Sequence, residues 1–176
     1  ELTFEEVNFE GANFTRAKFQ NVKIQNSNLQ GSIFNDAHLT NVMFEIVNLA
    51  HAQFHDTRLN TIYFINTIMR FVYFKRAKMV SIIFKKTVLH GVNFQKATLM
   101  CVNLEHMLLN YVDFSNTVLR YVKFRLAIFE GVDFKNAQIE GSTFKNATLK
   151  RSNFQDVQIR TTDFEKATIT NADFEK

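Results

Sequence analysis

The sequence predicts an all-β solenoid of five-residue units, four to a coil. Three observations predict it. A large apolar residue recurs at every fifth position without a break, a small residue precedes it by two, and four of the five glycines are separated by multiples of twenty. Among 176 residues there are 20 Phe and no Pro. A backbone that needs every N–H for hydrogen bonds excludes proline.

The large register runs from Phe4 to Phe174 over 35 positions, with 19 Phe, 10 Leu, 4 Ile and 2 Met. Only Phe71 among the phenylalanines lies outside it. The small register, from Leu2 to Ala172, holds 11 Val, 11 Ala, 5 Thr, 4 Ser and 2 Ile, with Leu2 and Met107. A period of five matches neither a helix nor an alternating strand. Side chains two apart on an extended segment share a face, so each pair points inward. The three residues between pairs then turn a corner.

All five glycines lie two residues after the large residue, and eight Asn share that position. Both residue types tolerate left-handed backbone. Gly11, Gly31, Gly91 and Gly131 differ by multiples of twenty, which stacks them along one edge if four units close a coil. Phe dominates positions ending in 4 and smaller aliphatics those ending in 9, so opposite walls should be matched. Ser27, Ser32, Ser142 and Ser152 at the small inward position are expected to bond to neighbouring backbone.

Segments such as GANFTRAKF, GVDFKNAQI and ATITNADF resemble the unit of the pentapeptide-repeat proteins, Ala-(Asp/Asn)-(Leu/Phe)-X-X. The resemblance spans the chain. It implies a right-handed quadrilateral parallel β-helix of about 9 coils of four pentapeptides, in one uninterrupted domain over residues 1–176. The start at Glu1 and the bare terminal coils suggest a domain excised from a longer chain, with end-to-end self-association as another way to cover the ends. The arrangement is also similar, in architecture alone, to the β-helix of SopA-like effector ligases from enteric bacteria.

No enzyme motif stands out. The glycines are isolated, so no phosphate loop forms. His51 and His55 flank a corner rather than a helical face, and Cys101 sits on an outward corner with no base fixed beside it. No catalytic residue, cofactor or metal site is expected, because a filled core leaves no pocket. The lone Cys and the absence of a signal segment point to the cytoplasm, or to a host cytosol if the chain belongs to an effector.

Function must then lie outside. Outward positions twenty apart become neighbours. On one wall the residue before the large one reads Asn8, Asn28, Asn48, Ile68, Val88, Leu108, Ile128, Thr148, Thr168. The preceding wall reads Thr3, Lys23, Met43, Tyr63, Ile83, Asn103, Lys123, Thr143, Asp163. Both are apolar in the middle. Ile65 joins the latter wall, Ile46 and Leu126 sit at the shared corner, and Phe71 and Tyr111 sit at the next. This cluster is the expected protein-binding patch.

Residues 57–104 contain no Asp or Glu, and Arg70, Lys75, Arg76, Lys78, Lys85 and Lys86 form a basic belt there. A net charge of +4 without a stacking groove counts against nucleic acid as a partner. The leading expectation is a non-catalytic rigid scaffold with a protein partner of unknown identity. The alternative implied by the family is a gyrase-interacting, quinolone-protecting DNA mimic. Mimicry of a duplex needs a strongly negative surface, so the basic charge counts against it.

Overall fold

The computed structural model describes residues 2–175. Every strand pairs in parallel with the segment twenty residues away: Phe4 faces Ile24, Phe44 faces Phe64, and Leu149 faces Ile169. The five-residue register thus closes a coil every four units. We number the walls by the outward residue at their centre. Wall 1 carries Thr3 and Lys23, wall 2 Asn8 and Asn28, wall 3 Asn13 and Ile33, and wall 4 Lys18 and His38.

Strands β1 (Leu2–Glu5), β2 (Lys18–Asn28), β3 (His38–Asn48), β4 (Arg58–Ile65) and β5 (Lys78–Lys85) are followed by short ones. These are β6 (Leu89–His90), β7 (Thr98–Met100), β8 (Leu108–Asn110), β9 (Val118–Arg120), β10 (Ile128–Glu130), β11 (Gln138–Glu140), β12 (Thr148–Lys150), β13 (Gln158–Arg160) and β14 (Thr168–Thr170). One sheet runs β1-β2-β3-β4-β5-β7-β9-β11-β13; the other is β14-β12-β10-β8-β6. Single bridges such as Asn13 to Ile33 and Asn103 to Lys123 complete the ladders.

Every fifth residue from Glu6 to Asn171 has φ between 43° and 66°. The corner position is left-handed whatever residue fills it. That costs an L-residue roughly 1–2 kcal/mol, so the ladder and the core must hold it.

The core is a set of ladders. On wall 3, rings stack coil upon coil from Phe14 through Phe34, Phe54, Phe74, Phe94, Phe114, Phe134 and Phe154 to Phe174, with centroids 4.6–5.2 Å apart. Wall 1 repeats this with Phe44, Phe64 and Phe84, and again with Phe124, Phe144 and Phe164. Leu104 interrupts it between the two runs. Walls 2 and 4 are filled mainly by Leu, Ile and Met, matching the expected alternation.

Two kinds of corner alternate. Tight corners close with a hydrogen bond from the small inward residue to the carbonyl of the large residue three before it. Where that inward residue is Ala or Ser the bond is 2.8–3.1 Å, as at Ala12, Ser32, Ala97 and Ala147. Where it is Met107, Thr117 or Val157 the bond stretches to 3.3–3.4 Å. The turn leaves room inside for a methyl and little more. Open corners lack this bond and accept larger residues, as at Val22, Val42, Ile62 and Ile82, though Ser27, Ser142 and Ser152 occupy such corners too.

Asn or Asp before the large residue caps most tight corners. Its side-chain oxygen accepts the N–H two residues on, at Asn8, Asn28, Asn103, Asp133 and Asp163 among others.

Of the inward serines, Ser27 donates to Gln25 O at 2.6 Å and Ser142 to Glu140 O at 3.2 Å. Ser152 reaches Lys150 O only at 3.5 Å, the limit of such a bond. The Ser32 hydroxyl has no partner, contrary to expectation. Its tight corner uses the Ser32 backbone and turns the side chain into an apolar layer.

Candidate protein-binding surface

The tight corners change place halfway along the solenoid. Corner 3/4 is tight in both halves, and corner 4/1 is open. Corner 2/3 is tight at Phe9–Ala12, Leu29–Ser32 and Leu49–Ala52, and then opens around Val92, Val112 and Val132. Corner 1/2 is open through Val47, Thr67 and Thr87, and is tight from Leu104–Met107 onward. Adjacent coils at residues 83–90 and 103–110 therefore take different paths around one corner.

The ladder gives way there. At neighbouring coils, Asn66 N–H donates to Lys85 O at 2.9 Å and His106 N–H to Arg125 O at 3.0 Å. Among the described residues the equivalent bond from Lys86 N–H to Glu105 O is not formed. Nor is the bond from Leu108 N–H to Thr87 O, although Val88 and Ile128 make its counterparts at 3.0 and 2.9 Å. Phe84 N–H reaches Asn103 O at 3.3 Å, against 2.7–2.8 Å for Phe124 and Phe144. Leu104 gives the Phe84 ring a smaller neighbour than the ring it meets on its other side.

A cleft of about 780 Å³ opens at this seam. The expectation of a pocket-free surface is thus corrected. The core is filled, but the corner is not, because two corner types meet. Ile83, Val88 and Leu108 line the cleft with exposed aliphatic surface, beside the buried core residues Phe84 and Leu89. Arg70, Lys85, Lys86, His90 and His106 add nitrogen groups, and Glu105 is the one carboxylate in the lining.

The twelve residues of the predicted patch separate around this cleft. Ile68, Val88, Leu108 and Ile128 follow one another up wall 2 and are exposed. Ile83 is exposed on wall 1, whereas Met43, Tyr63 and Ile65 are half-buried below it. Ile46 and Leu126 share a corner column, but Asn66, Lys86 and His106 lie between them, so they do not adjoin.

Phe71 and Tyr111 have a second task. An added Cβ at Gly91 would lie 2.6 Å from the Phe71 ring, and at Gly131 3.0 Å from the Tyr111 ring. Each ring covers the glycine backbone of the next coil. Phe71 also stacks on His51 at 5.4 Å and meets His90 edge-on at 5.4 Å, and His90 meets Tyr111 at 5.6 Å. Tyr121 does the same over Gly141, a pairing that sequence reading missed. The signal was there: an aromatic residue at a corner with Gly twenty residues later.

The basic belt splits into two groups. Arg70, Lys85 and Lys86 gather at the cleft, and among the described residues none of them forms an ion pair. Lys75, Arg76 and Lys78 lie across the molecule at corner 3/4 and wall 4. Arg76 makes a two-pronged contact with Asp56 at 2.7 and 2.6 Å, so its charge is met. The guanidinium hydrogen bond holds the Asp56 carboxyl below the usual range. Beside them His55 is lowered, by burial first and then by Arg76.

His51 faces Phe71 and His55 faces Tyr73, so each of the two imidazoles lies against an aromatic ring. Cys101 is exposed. Among the described residues no group of three or more His, Cys, Asp or Glu is placed to hold a metal ion. Among the described residues no helix is long and apolar enough to cross a membrane.

Comparison with known proteins agrees with the repeat. Solved structures share the fold at low identity. HetL, a pentapeptide repeat protein involved in heterocyst differentiation regulation from the cyanobacterium Nostoc sp. strain PCC 7120, superposes with a TM-score of 0.69 at 15% identity, over 97% of this chain and 86% of HetL. QnrB1, a plasmid-mediated fluoroquinolone resistance protein, gives 0.50 at 14%, over 99% of this chain and 94% of QnrB1. No curated protein matches the sequence. The sequence profile of the pentapeptide repeat region matches residues 1–70 and 67–144, and that of pentapeptide repeats in nine copies matches 134–176. With its register, corners and coil period, this chain belongs to the pentapeptide repeat family.

Proposed function

We propose that the chain is a non-catalytic scaffold that holds a partner protein on walls 1 and 2 of its central coils. The observation that carries this reading is the run Ile68, Val88, Leu108, Ile128 on wall 2. The backbone does not require it. Open corners exclude the capping Asn found at Asn8, Asn28 and Asn48, but Thr148 and Thr168 occupy the same station farther along. Aliphatic residues in place of threonine, adjacent and exposed, are explained by a surface that is covered in use. A rigid solenoid loses little ordering entropy on binding, which suits such a role.

The test uses Ile68→Asp with Leu108→Asp. Both side chains point outward, so the variant should keep its β-sheet circular dichroism and lose partner proteins retained by the immobilised wild-type chain. Equal retention by both would refute the surface. QnrB1 gives the gyrase reading its one support, at the level of fold. The net charge of +4 opposes a duplex-mimic mechanism. A supercoiling assay in which the chain leaves quinolone inhibition of gyrase unchanged would dismiss it.

A further inference from the structure

We propose that the cleft at corner 1/2 receives an acidic peptide segment of the partner protein. One apolar side chain seats on Ile83, Val88 and Leu108, with flanking carboxylates on Arg70, Lys85 and Lys86. The inference rests on the reading of walls 1 and 2 as the contact surface and names what that surface selects.

Size comes first. About 780 Å³ suits a bulky side chain and its neighbours rather than a folded element. Charge comes second. Several basic residues elsewhere are paired across coils: Lys23 with Glu45, Arg120 with Glu140, Lys145 with Glu165, Arg151 with Glu130. Among the described residues Arg70, Lys85 and Lys86 form no ion pair, not even with Glu105 on the next coil, and they surround a cleft lined by Ile83, Val88 and Leu108. Carboxylates on an incoming segment would complete them.

Backbone comes third. The interrupted ladder leaves Lys86 N–H and Leu108 N–H without their ladder acceptors, and an extended peptide or its carboxylates can supply oxygens. Length comes last. Ile68 to Ile128 spans three coil spacings, about 14 Å at ~4.8 Å each, which an extended peptide of about five residues covers. A single-stranded nucleic acid would need exposed rings on which to stack. The exposed apolar side chains of the lining are Ile83, Val88 and Leu108, and its exposed ring is the imidazole of His106, with no exposed Phe, Tyr or Trp among the lining residues.

The experiment is fluorescence anisotropy of the chain with a fluorescein-labelled Asp-Glu-Phe-Asp-Glu peptide. Comparison probes are Asp-Glu-Gly-Asp-Glu, Lys-Lys-Phe-Lys-Lys and an oligothymidylate. The acidic Phe probe should bind, and bind more weakly as salt rises. Replacing its Phe by Gly should cost about tenfold or more, as should Lys85→Glu with Lys86→Glu. Lys135→Glu, on corner 3/4, should change nothing.

If Leu108→Asp fails to fold, the lysine pair still decides, since both side chains are exposed. Equal binding of acidic and basic probes, undiminished binding by the lysine variant, or a preference for oligothymidylate would overturn the proposal. A chain that ignores the acidic probe yet loses partner retention on Ile68→Asp overturns the cleft and leaves the wider surface standing.

Discussion

The rings over glycine allow the packing of the outer surface to be measured. Gly31 and Gly91 occupy the same corner column with φ of 66° and 64°, but a Cβ at Gly31 meets nothing within 4 Å. At Gly91 it would lie 2.6 Å from two atoms of the Phe71 ring. Gly31→Ala therefore reports the backbone alone. The left-handed cost of roughly 1–2 kcal/mol is partly offset by about 0.4–1 kcal/mol of lost freedom in the unfolded chain, a net destabilisation near 0.5–1 kcal/mol.

Gly91→Ala adds displacement of Phe71, which is 42% exposed and so about three-fifths covered. At roughly 1.5–3 kcal/mol for full burial of a Phe, its cover is worth about 1–1.7 kcal/mol. Gly91→Ala should then cost about 1.5–2.5 kcal/mol, and in a Phe71→Ala background it should fall back to the Gly31→Ala value. Guanidinium unfolding followed by circular dichroism gives the four stabilities from midpoints at constant slope. Equal costs at Gly31 and Gly91, with no coupling to Phe71, would show that the ring does not lie on the glycine. Phe71 would then be free for a partner alone.

Other consequences follow from the same corners. Ile46 is β-branched, has φ of 56° and is 55% exposed, in a column where the flanking coils use Asn26 and Asn66; Ile46→Asn should raise stability by about 0.5–1 kcal/mol in the same unfolding assay. Ala127→Val places an isopropyl group at a tight corner whose bond is 3.0 Å, and should cost about 1–3 kcal/mol, whereas Val122→Ala at an open corner loses only burial. His55 lies below its ordinary 6.5, chiefly through burial, with Arg76 and Lys75 lowering and Asp56 raising it. The unfolded chain thus takes up the proton first. Stability should be full above about pH 6.5 and fall as pH drops through the lowered folded value, and His55→Gln should flatten that slope in pH-dependent melts.

The coil and its core were legible because the inward positions obey one strict rule. Thirty-five large residues in register leave no second way to bury them, and the match of positions ending in 4 to opposite walls follows from four units per coil. The corners were harder to read. Ala and Val look alike as small inward residues, yet their separation into columns encodes tight and open corners. Corner 2/3 passes from Ala52 through Val72, where the turn at Arg70 and Phe71 persists, to the open Val92, and corner 1/2 from Thr87 through Met107 to Ala127. The seam, and with it the cleft, is written in that exchange together with Leu104. The spread of Arg70, Lys85 and Lys86 into one mouth was hidden for another reason. Arg70 lies at one end of wall 2 and Lys85 and Lys86 at the other, and they share a mouth at the seam where the ladder bonds of Lys86 and Leu108 are missing.

A protective role for the seam deserves weighing against a binding one. An interrupted ladder is an invitation to strand pairing, and lysines are the usual guard at such edges. Lys85 and Lys86 fit that role on their own. The aliphatic lining does not, since a guarded edge gains nothing from exposing Ile83, Val88 and Leu108 beside the guards. The two readings part on one variant. If the lysines only guard, Lys85→Glu with Lys86→Glu keeps a charged edge, and the chain remains monodisperse and behaves as before in every binding assay. If they receive carboxylates, the same substitution leaves the elution volume unchanged and weakens salt-sensitive capture of the acidic probe about tenfold or more. Reversal of charge at constant shape therefore separates protection of the seam from use of it.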